Sequence, residues 1–182
     1  LAQTQNLPRN LPQNLPQNLP RDLCPDCYGR ILACGLPSEA QVDRQLSPPV
    51  FAWGRYDGGL KRAIAALKYD GRRQLSVTLG QTMAVAWPIA TAQTPLAQGA
   101  KSWSIVPIPL HAKRYRERGF NQAETLAIAF ADQLGWPVLN QGLVRVKETQ
   151  AQFALKSDRD RSQNLANAFA IAPDWVIEIL SP

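Results

Sequence analysis

The sequence predicts an α/β domain carrying a small cysteine-bearing appendage. Three observations lead there. The chain has 182 residues, 45% of them apolar, enough for one substantial core plus an appendage. From Tyr56 onward, helical-period segments alternate with short apolar runs. Within that region an apolar strand, Ser102–Ile108, runs into Pro107-Ile108-Pro109, then a cationic loop, then a helix start at Asn121.

Residues 1–23 are built on Asn-Leu-Pro-Arg/Gln, repeated four times from Asn6 to Arg21. A proline at every fourth position removes backbone donors and fixes φ. That predicts an extended, mostly disordered tail, either a spacer or a binding peptide. Residues 24–54 form a Cys/Gly/Pro segment. Cys24-Pro25-Asp26-Cys27 reads as a knuckle aiming two thiolates at one metal, with Cys34 as a third ligand. Structural zinc takes four Cys or His ligands. A second knuckle would need a cysteine where Pro37 stands, and the single histidine, His111, lies elsewhere. The segment reads as a degenerate zinc knuckle or as incidental cysteines. A thioredoxin-type redox pair is disfavoured, because no βαβ pattern surrounds it.

Residues 55–182 read as the main domain. Asp57-Gly58-Gly59 opens a helix with Leu60, Ile64 and Leu67 on one face, stopped by Asp70-Gly71. A second helix, about 74–87, carries Leu75, Leu79, Met83 and Ala86 and ends before Pro88. Residues 91–101 are a loop, and Ser102–Ile108 a buried strand. Asn121 caps the next helix, with Glu124 completing a capping box. Its inner face is Leu126, Ala127, Phe130, Ala131 and Leu134, and Gly135 and Pro137 end it. Val138-Leu139 and Leu143–Val146 read as short strands. Ser157 with Asp160 caps a last helix through Ala168, and Trp175–Leu180 reads as a final strand.

Charge is unevenly placed. The net charge is +6, yet residues 55–73 and 101–118 together carry +8, leaving −2 for the rest. A localised surplus points to an anionic ligand such as phosphate, nucleotide or nucleic acid, or equally to two solvated faces. No apolar run approaches the length of a membrane span. No signal peptide is visible, and Leu1 in place of Met points to a missing start. Three cysteines do not make a disulfide framework, so a reducing cytoplasm is the expected setting.

The candidate anion site is the loop 110–120 and the helix start behind it. Arg114, Arg116 and Arg118 offer planar forks that grip phosphate oxygens in pairs. Gly119 lets the backbone approach, and Asn121 and Gln122 begin a helix whose free N–H groups face the same place. The alternative is an ordinary strand-to-helix crossover with a basic surface. Lys68 and Arg72 form a second basic turn, which the helix dipole favours whatever its use. Thr149, Gln150, Arg161 and Asn164 read either as ligand contacts or as caps and turns. His111 reads as a proton donor or as an ordinary surface residue. The chain has no GxxxxGK[ST], no HExxH, no Ser-His-Asp arrangement and no acidic pair placed for metal or ribose.

From about Cys24 to Phe169 the chain resembles the ComF family of competence-associated, phosphoribosyltransferase-like proteins. The resemblance rests on Tyr56-Asp57-Gly58, Leu67-Lys68-Tyr69, Gly71-Arg72, Val106-Pro107-Ile108-Pro109-Leu110 and Arg118-Gly119-Phe120-Asn121-Gln122 with Leu126-Ala127. Arg145 with Thr149 and Gln152, and Arg161, Asn164, Ala168 and Phe169, complete it. It implies a type I phosphoribosyltransferase fold, a Rossmann-like parallel sheet flanked by helices, with a small N-terminal four-cysteine zinc finger. It also implies transfer of ribose 5-phosphate from phosphoribosyl pyrophosphate (PRPP), with Mg²⁺ bridging the phosphates and the loop after the Val-Pro-Ile-Pro strand meeting the diphosphate.

The sequence departs from that pattern twice. The zinc finger lacks its fourth cysteine. The family's PRPP loop, an acidic pair before a Thr-Thr-Gly-like turn, should follow the last strand. Here Trp175–Leu180 leads to Ser181-Pro182, and Asp174 and Glu178 are not that pair. The expectation is an incomplete sheet and weak or no activity, since positioning and charge stabilisation supply most of the rate in such a transfer. The alternative is a non-catalytic module holding single-stranded DNA or a competence protein, with Tyr115 and Phe120 among the arginines.

Overall fold

The computed structural model describes residues 23–94, 103–150 and 154–172. The repeat tail to residue 22, Gln152 and the expected strand Trp175–Leu180 lie outside the described residues.

The cysteine segment contains a helix. Helix α1 (Pro25–Leu32) starts immediately after Cys24, whose sulfur accepts the Cys27 N–H in place of a Ser or Asp cap, with Pro25 at a first-turn position that needs no donor. Its inner face, Tyr28 and Ile31, is buried. After it, β1 (Val42–Asp43) pairs antiparallel with β2 (Val50–Phe51).

Helix α2 (Gly58–Tyr69) matches its expected limits and buries Leu60, Ala63 and Leu67, one stripe at helical spacing. Asp70 and Gly71, the latter at φ +66°, turn the chain into α3 (Leu75–Thr91). The sequence predicted an end before Pro88, but α3 runs through it. Tertiary packing outweighs a penalty of about 3 kcal/mol. Trp87 meets Phe51, Phe130 and Trp136 edge to face at 5.1–5.8 Å between centroids, and the Thr91 hydroxyl donates to the Trp87 carbonyl.

The expected strand Ser102–Ile108 is reduced, among the described residues, to one parallel bridge between Ile105 and Val138. Pro107 and Pro109 remove alternate ladder donors, so pairing cannot propagate. The loop expected over 110–120 contains a helix, α4 (Ala112–Arg118), capped by His111 Nδ1 and closed by Gly119 at φ +77°. Helix α5 (Gln122–Leu134) follows after Gly119-Phe120-Asn121 and ends at Gly135, as expected. It packs along α3, and Ala127, Phe130 and Ala131 are buried. Strand β3 (Leu143–Arg145) pairs antiparallel with β4 (Phe169–Ile171), and α6 (Asp158–Leu165) lies between them, capped by Ser157 as expected. That last helix ends short of Ala168, because the chain leaves it to form β4. The described residues therefore form a mixed α/β arrangement of six α-helices and two small antiparallel sheets, with the expected parallel sheet represented by one bridge.

The main core joins Ile31 and Cys34 with Leu60, Ala63 and Leu67 of α2, Leu75 and Leu79 of α3, and Phe120. Phe120 matters most for the site. Its ring, 2% exposed, anchors the α4–α5 junction beside α2. Burying such a ring is worth roughly 1.5–3 kcal/mol. None of the helices among the described residues is long and apolar enough to cross a membrane.

Candidate functional site

The two basic segments meet. A cleft of about 340 Å³ is lined by Lys68, Tyr69 and Gly71 from the end of α2, and by Arg114, Glu117 and Arg118 from α4. The helical form of 112–118 decides which arginines take part. Arg114 and Arg118 are four residues apart and share a face, whereas Arg116 falls about 200° around the axis from Arg114 and is exposed outside the cleft.

Arg118 is held from two sides. Its guanidinium lies 5.7 Å from the centre of the Tyr69 ring and donates to the Gln122 side chain. Arg73 stacks similarly on Phe120, at 4.6 Å. Burial pushes the Lys68 ammonium below its ordinary pKa, and repulsion from Arg118 adds to the effect. A bound anion would offset both, because it favours the charged forms. Among the described residues Glu117 is the one carboxylate lining the cleft, so the lining carries three cationic side chains against one anionic.

The remaining expected residues are placed elsewhere. Arg72 and Gly119 do not line the cleft. Gly119 terminates α4, its N–H donating to the Tyr115 carbonyl at 2.7 Å. Asn121 has both ends of its side chain committed: Oδ1 accepts from the Ala123 N–H and Nδ2 donates to the Ile108 carbonyl at 3.0 Å. It ties the Pro-Ile-Pro turn to the start of α5. Gln122 reaches the cleft only through Arg118. His111 is a cap, and Lys113 pairs with Glu148 at 3.2 Å.

Tyr69 and Glu117 were missed by the sequence reading. Their signal was their spacing from Lys68 and Arg114, visible only once 112–118 is known to be helical. A further cation, outside the cleft lining, is close enough to Arg114 to feel its charge. Arg145 donates to the Pro109 carbonyl and to Thr149 Oγ1, and its ring-facing side stacks on Phe169 at 5.2 Å. Burial, then the charge of Arg114, lower its pKa. Asn164 bonds both the N–H and the carbonyl of Gln150. Thr149, Gln150 and Asn164 thus serve as loop ties, one of the two readings left open above.

The zinc expectation needs Cys24, Cys27 and Cys34 around one ion. Cys34 is instead buried in the core, its thiol directed at the Arg30 and Asp57 carbonyls, while Cys24 and Cys27 are exposed at the start of α1. Among the described residues no three His, Cys, Asp or Glu side chains are grouped to hold a metal ion. The donor set does not fit structural zinc. The physical reason is that α1, rather than a knuckle, separates Cys27 from Cys34, and the apolar packing of Ile31 and Leu60 draws Cys34 inward. The Cys27 N–H lowers the Cys24 thiol pKa, and contact with the Cys24 sulfur raises that of Cys27.

Comparison with known proteins gives named relatives. The chain is 36% identical over 121 residues to "Competence protein F" of Haemophilus influenzae, covering 65% of this chain and 50% of that protein. It is 32% identical over 155 residues to "DNA utilization protein YhgH" of Salmonella typhi, covering 82% of this chain and 64% of that protein. The protein of the same name from Escherichia coli K12 is 30% identical over 158 residues, with the same coverage. The chain thus spans between half and two thirds of the length of these curated relatives. No family model and no solved structure matches it.

Proposed function

The chain belongs to the ComF family, and on that footing we propose that its cationic cleft binds the diphosphate of PRPP or a similarly phosphorylated small molecule. The parent activity is a phosphoribosyltransferase-like one associated with natural competence and DNA uptake, and a type I phosphoribosyltransferase architecture is part of the same proposal. The observation that carries it is the convergence of Lys68, Arg114 and Arg118 on one cleft of about 340 Å³. The Arg118 guanidinium, held by Tyr69 and Gln122, together with Arg114 and a partly desolvated ammonium, suits a compact multivalent anion.

Mg²⁺ usually enters such sites on phosphate oxygens with one or two carboxylates, and Glu117, the one carboxylate among the described residues lining the cleft, would be the residue to share it. Bound there, the ion would neutralise charge developing on the leaving diphosphate. Without metal, Glu117 opposes the anion. Glu117→Gln is therefore expected to tighten binding of metal-free diphosphate about fivefold, from removal of about 1 kcal/mol of repulsion in a solvated cleft. Unchanged affinity in calorimetry with a chelator present would place the anion away from α4.

A second reading has its own observation. Tyr69 and Tyr115 are 63% and 49% exposed beside the arginines, which suits base stacking on a single strand or a competence protein's acidic segment. Titrations with PRPP–Mg²⁺ and with oligothymidylate separate the readings. Micromolar PRPP binding with weak oligonucleotide binding supports the first. Oligonucleotide binding that falls steeply between about 50 and 200 mM salt, with no response to PRPP, replaces it with the second. Response to neither ligand overturns both.

A further inference from the structure

We infer that Cys24 and Cys27 form a redox-active dithiol that exchanges with accessible disulfides, such as glutathione disulfide, to close an intramolecular disulfide across the first turn of α1. Three observations place it. Both cysteines are free and exposed. Cys24 is the N-cap of an eight-residue helix, its sulfur 3.4 Å from the Cys27 N–H, so negative charge on it is stabilised by a main-chain donor and the positive end of the helix. Cys27 lies in the first turn of the same helix, and because its own main-chain nitrogen meets that sulfur, its side chain starts within reach of it. The third cysteine is excluded from the exchange by burial at 4% exposure and by its two carbonyl contacts.

The absence of a βαβ unit, which argued against a redox pair on sequence, does not bear on this chemistry. Thiol–disulfide exchange needs a stabilised attacking thiolate, a second thiol within reach and solvent access, and all three are local.

The step balances without a further reagent. The Cys24 thiolate attacks one sulfur of glutathione disulfide, the S–S bond breaks, and one glutathione thiolate leaves. Cys27 then gives its proton to solvent and attacks the Cys24 sulfur, expelling the second glutathione. Two protein thiols are oxidised, and one glutathione disulfide is reduced to two thiols.

The test equilibrates the reduced full chain with mixtures of reduced and oxidised glutathione, without oxygen, followed by acid quench, alkylation and peptide mass mapping. The expected product is a single Cys24–Cys27 disulfide within one chain, with Cys34 alkylated only after unfolding. Cys27→Ser should stop at one glutathione on Cys24. Cys24→Ser, which keeps a good N-cap, should react at Cys27 at least tenfold more slowly. Two thiols that stay free at every ratio overturn the inference. So do disulfides formed only between chains, or one tightly held zinc per chain that shields both sulfurs from alkylation.

Discussion

Replacing Arg118 with alanine is expected to weaken diphosphate binding by about ten- to a hundredfold. The estimate comes from losing a charge-assisted, two-pronged contact worth roughly 1.5–3 kcal/mol. Arg118 is the cleft cation whose position is best determined: Tyr69 supports one face of the guanidinium, Gln122 accepts from it, and buried Phe120 holds the backbone two residues on. Little ordering entropy remains to be lost on binding. The informative control is Arg116→Ala. It removes the same charge from the same helix, but from a side chain outside the cleft, and should change affinity by less than about twofold in a salt-screened buffer. Arg118→Lys keeps the charge and loses the fork, so its affinity should fall between the two. Calorimetry at fixed ionic strength reads all three. Equal losses from positions 116 and 118 would mean that the anion responds to the overall field of the basic face, and the cleft would lose its assigned role.

That control follows from a difference between sequence and structure. The run Ala112-Lys113-Arg114-Tyr115-Arg116-Glu117-Arg118 has no apolar stripe, so periodicity gives no helix. Its residues have good intrinsic helix propensity, but a seven-residue helix is unstable by itself. It is held at its ends, by the His111 cap, the left-handed Gly119 and the buried Phe120, and those are tertiary facts. Read as a loop, all three arginines join the site; as a helix, two do. Helix α5 was legible because stripe, cap and stop agree, and α2 because its apolar stripe and the Asp70-Gly71 stop agree, although Asp57 makes no side-chain cap. Ser102–Ile108 was read as a buried strand, and only the bridge at Ile105 forms among the described residues, because Pro107 and Pro109 lack the donors that a longer ladder needs. The fate of Cys34 was not. Its spacing from Cys27 looks like that of a ligand in an irregular chain, whereas burial with Ile31 and Leu60 depends on α1 being a helix.

Gly59→Ala is expected to destabilise the fold by about 3 kcal/mol or more, lowering Tm by roughly 6–12 °C. On propensity alone the change should help, since alanine gains about 1 kcal/mol over glycine inside a helix. Packing reverses the sign. A Cβ at Gly59 would lie 2.4 Å from the Arg30 carbonyl oxygen, 2.5 Å from its carbon and 2.8 Å from the Ile31 nitrogen. These are backbone atoms of α1, not the end of a flexible side chain, so relief requires α1 to move away from α2 and part Ile31 from Leu60 in the core. Gly71→Ala is the comparison: at φ +66° with nothing within 4 Å of the new methyl, it should cost only the left-handed penalty of about 1–2 kcal/mol. Gly59 opens α2, whereas Lys68 and Tyr69 close it roughly 15 Å away, at about 1.5 Å of rise per residue. Below its lowered Tm the Gly59 variant should therefore keep diphosphate affinity within about twofold, the reverse of the Arg118 variant, which should lose affinity and keep its melting temperature. Thermal melts and titrations on the two proteins test that separation. Loss of affinity in Gly59→Ala while the protein remains folded would mean that the α1–α2 crossing sets the cleft's geometry as well as supporting the core.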